Sequence, residues 1–160
     1  FQKMFKNESE FEEHIRKLIF NEIISVSSNF LLLENKDVVD IIICNNSILQ
    51  PKLFFIEVKF STQIKGRIGF GTANGKGFQP EILSKTPQYF NQNMLWIFGK
   101  ENDVNYYIFT TNQILDFISG NEIGLKQNNF QQKLFNQSEN KYNDETFLLF
   151  IKKWLQITSP

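Results

Sequence analysis

KLFFIEVKF, residues 52–60, sets Glu57 and Lys59 one residue apart inside a run of Phe, Ile and Val. The run reads as a β-strand. Alternate side chains of a strand face opposite sides, so Glu57 and Lys59 share one face and Ile56, Val58 and Phe60 the other. A buried charge is costly unless it is paired or holds a metal. The two groups therefore either form an exposed ion pair, worth about 0–1 kcal/mol, or line a site.

Asp40 shifts the balance. It stands alone in VVDIII, residues 38–43, where an unpaired carboxylate would be expensive. The segment CNNSILQPK, residues 44–52, carries the turn chemistry of a hairpin or a short connection, and a hairpin would make the Asp40 strand and the Glu57 strand neighbours. Both carboxylates then converge on one point. Two hard oxygen ligands with open remaining positions suit Mg2+. An ammonium beside such an ion can hold an attacking water or offset charge building on a phosphate.

Outward from this pair, SEFEEHIRKLIFNEI, residues 9–23, has Ser9 and Glu12 in capping-box spacing. It predicts an amphipathic helix with Phe11, Ile15, Leu18, Ile19 and Glu22 on one face and Glu12 at its edge. NFLLLENKDVVDIIICNNS, residues 29–47, predicts one or two strands. FQPEILSKTPQYF, residues 78–90, predicts a helix with Pro80 in its first turn. NMLWIFGK and VNYYIFTT predict two strands joined by a turn at ENDVN, and NQILDFISG a short helix ended by Gly120. DETFLLFIKKWLQI, residues 144–157, predicts a last amphipathic helix with Trp154 in the core. This order predicts one α/β domain over residues 1–160, a mixed central sheet flanked by helices.

Asp40 followed by Glu57-Val58-Lys59 on the next strand, with Glu12 on the preceding helix, resembles the PD-(D/E)XK nuclease superfamily. The resemblance runs from about Ser9 to Thr62, and Ile15, Leu18 and Ile19 lie as in archaeal Holliday-junction resolvases of that superfamily. It departs at Val39, where the family name has proline. The resemblance implies a restriction-endonuclease-like fold and Mg2+-dependent hydrolysis of DNA, with Mn2+ able to substitute. Asp40 and Glu57 would be the metal-binding carboxylates, the Val58 carbonyl would complete the site, and Lys59 would serve the nucleophilic water. Glu12 would be an outer or second-metal ligand.

The loop STQIKGRIGFGTANGKG, residues 61–77, follows the strand. Between Val58 and Pro80 there is no acidic residue, while Lys65, Arg67 and Lys76 fall there. Glycine lets a backbone approach phosphates, the cations neutralise them, and the amides of Asn74 and Gln79 can read adenine edges; a plain solvated loop is the competing reading. This base-reading surface favours a type II restriction endonuclease acting on double-stranded DNA over a structure-specific resolvase or repair nuclease on the same fold. A non-catalytic DNA-binding domain is the rival from another class. Cutters of palindromes commonly act as two-fold dimers, so a homodimer is compatible.

The 160 residues carry 17 basic and 17 acidic side chains, so net charge does not announce a polyanion partner. The sequence has no run of membrane-spanning length and no signal-peptide pattern, which points to a cytoplasmic protein without a membrane partner. The start at Phe1 is compatible with a fragment of a longer chain. One cysteine, Cys44, excludes an intrachain disulfide and reads as a buried thiol. GRIGFGTANGKG is not GxGxxG, since Asn74 takes the third glycine position, and no GK[ST] occurs. His14, the one histidine, reads as solvated on the polar side of the first helix.

Overall fold

The computed structural model describes residues 4–26, 30–34, 39–46, 51–62, 69–70, 92–120 and 134–155. Six strands form one sheet in sequence order: β1 (Phe30–Glu34), β2 (Ile41–Asn45), β3 (Lys52–Ser61), β4 (Met94–Lys100), β5 (Tyr106–Thr110) and the two-residue β6 (Lys141–Tyr142). All neighbours are antiparallel except β3 and β4, which run parallel with Glu57 opposite Trp96 and Lys59 opposite Phe98. Three α-helices are described from end to end, α1 (Glu8–Ile19), α2 (Thr111–Gly120) and α3 (Asp144–Trp154). The architecture is α/β with a mixed sheet. The predicted helix over 78–90 lies outside the described residues.

Strand alternation sorts the apolar residues into two cores. Ile41, Ile43, Phe54, Ile56, Val58 and Phe60 face α1 and α3, where Phe11, Ile15, Ile19, Phe147 and Ile151 close the layer. Phe55, Trp96, Phe98, Tyr107 and Phe109 face the other side, with Ile114 of α2, Leu134 and Phe135. Trp154 is half-buried, its ring edge-on to Phe54 at 4.9 Å. Gly99 sits in β4 because α1 needs the space. A Cβ there would stand 2.8 Å from the buried Phe11 ring.

Several local expectations shift. The cap of α1 is Asn7, whose side chain accepts from the Glu10 N–H at 2.9 Å, so the helix starts before Ser9. An earlier Asn with a free N–H three residues on takes the role that Ser9 could have filled. Glu22 leaves the apolar face and is exposed, because Phe20–Ile24 continues α1 as a π-turn that buries Ile23 and Ile24. Cys44 is half-buried, its thiol donating to Asn46 Oδ1 at 3.1 Å. His14 is half-buried and hydrogen-bonded to the Tyr106 hydroxyl at 2.7 Å. The single Tyr106 proton goes to Asp144 in a short bond, so the His14 Nε2–H is the donor to Tyr106. Burial, then the bond and charge of Asp144, push the Tyr106 hydroxyl far up. The chain His14–Tyr106–Asp144 fastens the middle of α1 to the start of α3 through Tyr106 of β5.

Candidate active site

The site forms where β2 stops covering β3. Ile41 pairs with Ile56, and the Asp40 N–H adds one more bond to the Ile56 carbonyl at 3.1 Å. Asp40 thus stands just ahead of β2 rather than inside it. Beyond that point β3 continues to Ser61, still paired with β4 on its other edge. Buried backbone donors need partners, and two carboxylates supply them. Asp40 Oδ2 accepts from the Val58 N–H at 2.7 Å, and Glu8 Oε2 accepts from the Phe60 N–H at 3.0 Å. The start of β2 and the first turn of α1 are therefore both moored to one half-open strand edge. In a strand the N–H and C=O of one residue project to the same edge, so the Val58 carbonyl is on the Asp40 side.

Glu57 and Lys59 face away from α1, as the alternation requires. Their side chains, 4% and 6% exposed, form an ion pair of 2.9 Å. The exposed-pair reading is thereby excluded. Trp96 and Phe98 are opposite them on β4 and Phe55 precedes them on β3, so the pair is held among aromatic rings where charge interactions are weakly screened. Phe70 from the glycine-rich segment, 1% exposed, packs on Trp96 and Phe98 at 5.9 and 6.3 Å between ring centres.

Asp40 faces the pair across the β2–β3 register. Burial, then the charge of Glu57, push its carboxyl up to about 7; the Val58 N–H and Lys59 act in the opposite direction, and Glu12 adds to the rise. Asp40 thus feels the charge of two further carboxylates, Glu57 and Glu12. Glu12 Oε1 is bound by Arg16 Nε at 3.1 Å, and Arg16 Nη2 donates to the Asp40 carbonyl. Arg16 Nη1 is buried and takes no partner among the described residues.

Two carboxylates held close together, with the charge of Glu57 raising the Asp40 carboxyl, beside an edge carbonyl, fit a hard cation taking few protein ligands and several waters. They do not make a closed cage. Among the described residues no three His, Cys, Asp or Glu side chains are grouped to hold a metal ion. Asp40, Glu57, Val58 and Lys59 come together, and Glu12 is near but engaged by Arg16. Lys65, Arg67, Asn74, Lys76 and Gln79 lie outside the described residues. Glu8 had no sequence signal, because its partner is on β3, and Arg16 showed only its i,i+4 spacing to Glu12, because its bond to the Asp40 carbonyl comes from another element.

Among the described residues no helix is long and apolar enough to cross a membrane. No family model matches the chain, and neither the curated proteins nor the solved structures contain a match to it.

Proposed function

We propose that the chain is a divalent-cation-dependent endonuclease of the PD-(D/E)XK type, cleaving double-stranded DNA, and within that type a restriction endonuclease. The observation that carries this reading is the buried Glu57–Lys59 pair with Asp40 facing it at the half-open edge of β3. A chain accepts the desolvation of three ionisable groups at one point only with compensation, and a perturbed carboxyl such as Asp40 beside a buried ion pair is where chemistry is often found. The order of elements supports it too. The helix with Glu12, the strand directly after Asp40 and the Glu57-Val58-Lys59 strand follow one another, with β2 and β3 adjacent. A restriction-endonuclease-like sheet is part of the same proposal.

Mg2+, or Mn2+ in its place, would be held by Asp40, Glu57 and the Val58 carbonyl and would supply Lewis-acid polarisation of a phosphate oxygen. Lys59 has three N–H donors, of which Glu57 takes one; the ammonium orients the attacking water and offsets charge on the phosphate. The rings of Trp96 and Phe98 keep bulk water from the pair.

The test is cleavage of a mixed-sequence plasmid with Mg2+ and with EDTA, for wild type, Asp40→Asn and Glu57→Gln, with circular dichroism to confirm folding. Discrete fragments from wild type with Mg2+ alone, and none from either variant, are expected. A four-way junction offered beside the plain duplex decides between a sequence-reading and a structure-reading enzyme. Equal, weak Mn2+ binding by wild type and Asp40→Ala in calorimetry would remove the basis for catalysis and favour an inert binding domain.

A further inference from the structure

Arg16 is the one cation of the cluster that the proposed chemistry leaves without a role. The side edge of its guanidinium is fully spent, Nε on the Glu12 carboxylate at 3.1 Å and Nη2 on the Asp40 carbonyl. Its Nη1, with two further N–H donors, is buried without a partner among the described residues. A buried donor left unmade is expensive, so an acceptor is expected at this position.

Formal charge narrows what the site accepts. Glu12, Asp40 and Glu57, when ionised, bring three negative charges, and Arg16 and Lys59 bring two positive ones; Glu8 is held farther along the edge on the Phe60 N–H and is not among the charges acting on Asp40. The remainder is one negative charge. One divalent cation together with one phosphodiester monoanion brings the cluster to neutrality, whereas a second divalent cation would leave two uncompensated positive charges at a site with low screening. The carboxylate most suited to hold a second ion, Glu12, is already occupied by Arg16.

We propose that Arg16 is a built-in second cation: it neutralises Glu12, restricts the site to a single divalent ion, and offers Nη1 to a non-bridging oxygen of the DNA phosphate being cleaved. This rests on the nuclease reading. A planar fork suits that work because it binds a carboxylate, a carbonyl and a phosphate oxygen at once, which an ammonium cannot do in fixed geometry.

The experiment counts Mn2+ ions bound by the full chain, by electron paramagnetic resonance titration without DNA, and measures cleavage of a duplex with the same preparations. Wild type binds one Mn2+, and Asp40→Asn abolishes that binding. Arg16→Ala frees Glu12 and admits a second Mn2+, which the double variant Glu12→Gln/Arg16→Ala again excludes. Arg16→Lys, which keeps the charge and guards against a folding defect in the alanine variant, still binds one Mn2+. It loses about a hundredfold in kcat, the scale of one removed phosphate-directed donor. Added guanidinium ion, well below denaturing concentration, partly restores cleavage to Arg16→Ala, and methylammonium does not. Two Mn2+ ions in wild type, or Arg16→Lys cleaving at the wild-type rate, would overturn the role of Arg16 and leave the nuclease reading standing. Mn2+ binding indifferent to Asp40→Asn, or a wild type that cleaves no DNA, would overturn both.

Discussion

Replacing Asp40 with asparagine should make the protein more stable at pH 8, at the expense of its proposed activity. The carboxyl is pushed from an ordinary 3.8 up to about 7, chiefly by burial and by Glu57. The folded value lies above the unfolded one, so ionisation works against the fold. Stability therefore falls as pH rises from about 4 to about 7 and is level above that. Roughly three pH units at about 1.36 kcal/mol each give an upper bound near 4 kcal/mol. Asp40 is only half-buried, and solvent screening brings the expected cost to about 2 kcal/mol. Asparagine cannot ionise, and its Oδ1 can still accept the Val58 N–H that Asp40 holds at 2.7 Å. In EDTA, Asp40→Asn should then exceed wild type by about 2 kcal/mol at pH 8, or roughly 5 °C in Tm, and by nothing near pH 4. Urea unfolding at both pH values reads this directly. Because Asp40 and Glu57 titrate as neighbours, the slope belongs to the pair, and a parallel series on Glu57→Gln separates their shares. Equal stability of the two proteins at pH 8, or a less stable variant, would show that the carboxyl is solvated and that the desolvation reasoning is wrong. Mg2+ should stabilise wild type at pH 8 and leave the variant unmoved, since a ligand stabilises only the state that binds it.

Lys59→Met strands Glu57 without its 2.9 Å partner in an aromatic setting, and should cost about 3–5 kcal/mol. Glu57→Gln/Lys59→Met should recover much of that, so a double-mutant cycle by urea unfolding will show strong coupling, and additive effects would mean the pair is not formed. Gly99→Ala drives a methyl to within 2.8 Å of the Phe11 ring and should destabilise by about 1–3 kcal/mol without changing Mn2+ affinity; an unchanged Tm would mean that Phe11 is free to move. Burial of Asp103 is outweighed by hydrogen bonds from Tyr107 and Asn105, which hold its carboxyl below the usual range. Its stabilising contribution is present above about pH 4 and is lost as pH falls through the depressed value. Asp103→Asn should flatten the acid side of the stability profile, and an unchanged profile would refute the hydrogen-bonded turn.

How much of this was legible in the sequence depended on the range of the interaction concerned. The period of two in residues 52–60 placed Glu57 and Lys59 on one face, because side-chain direction in a strand is a local property. The lone acid in VVDIII marked Asp40, because desolvation can be judged from immediate neighbours. The turn-forming composition between the two strands then suggested their pairing, and β2 and β3 are indeed antiparallel neighbours. Errors of cap and phase were also local. Ser9 and Asn7 compete for one cap, and the π-turn at Phe20–Ile24 shifts the wheel on which Glu22 had been placed. His14 reads as solvent-facing on its own helix and becomes half-buried only because Tyr106 and Asp144 arrive from β5 and α3. The same logic hides Arg16. By spacing alone, Glu12 and Arg16 are an ordinary i,i+4 pair, worth a few tenths of a kcal/mol on an exposed helix. What separates them from the exposed pair Glu13–Lys17, one position along the same helix at 2.8 Å, is the Asp40 carbonyl from another element. Two pairs of identical spacing on adjacent faces thus have different surroundings, and only the one turned toward the β3 edge reaches the backbone of Asp40. A site's charges announce themselves in sequence by the cost of burying them; the cation that makes their burial tolerable does so only once the strands are in place.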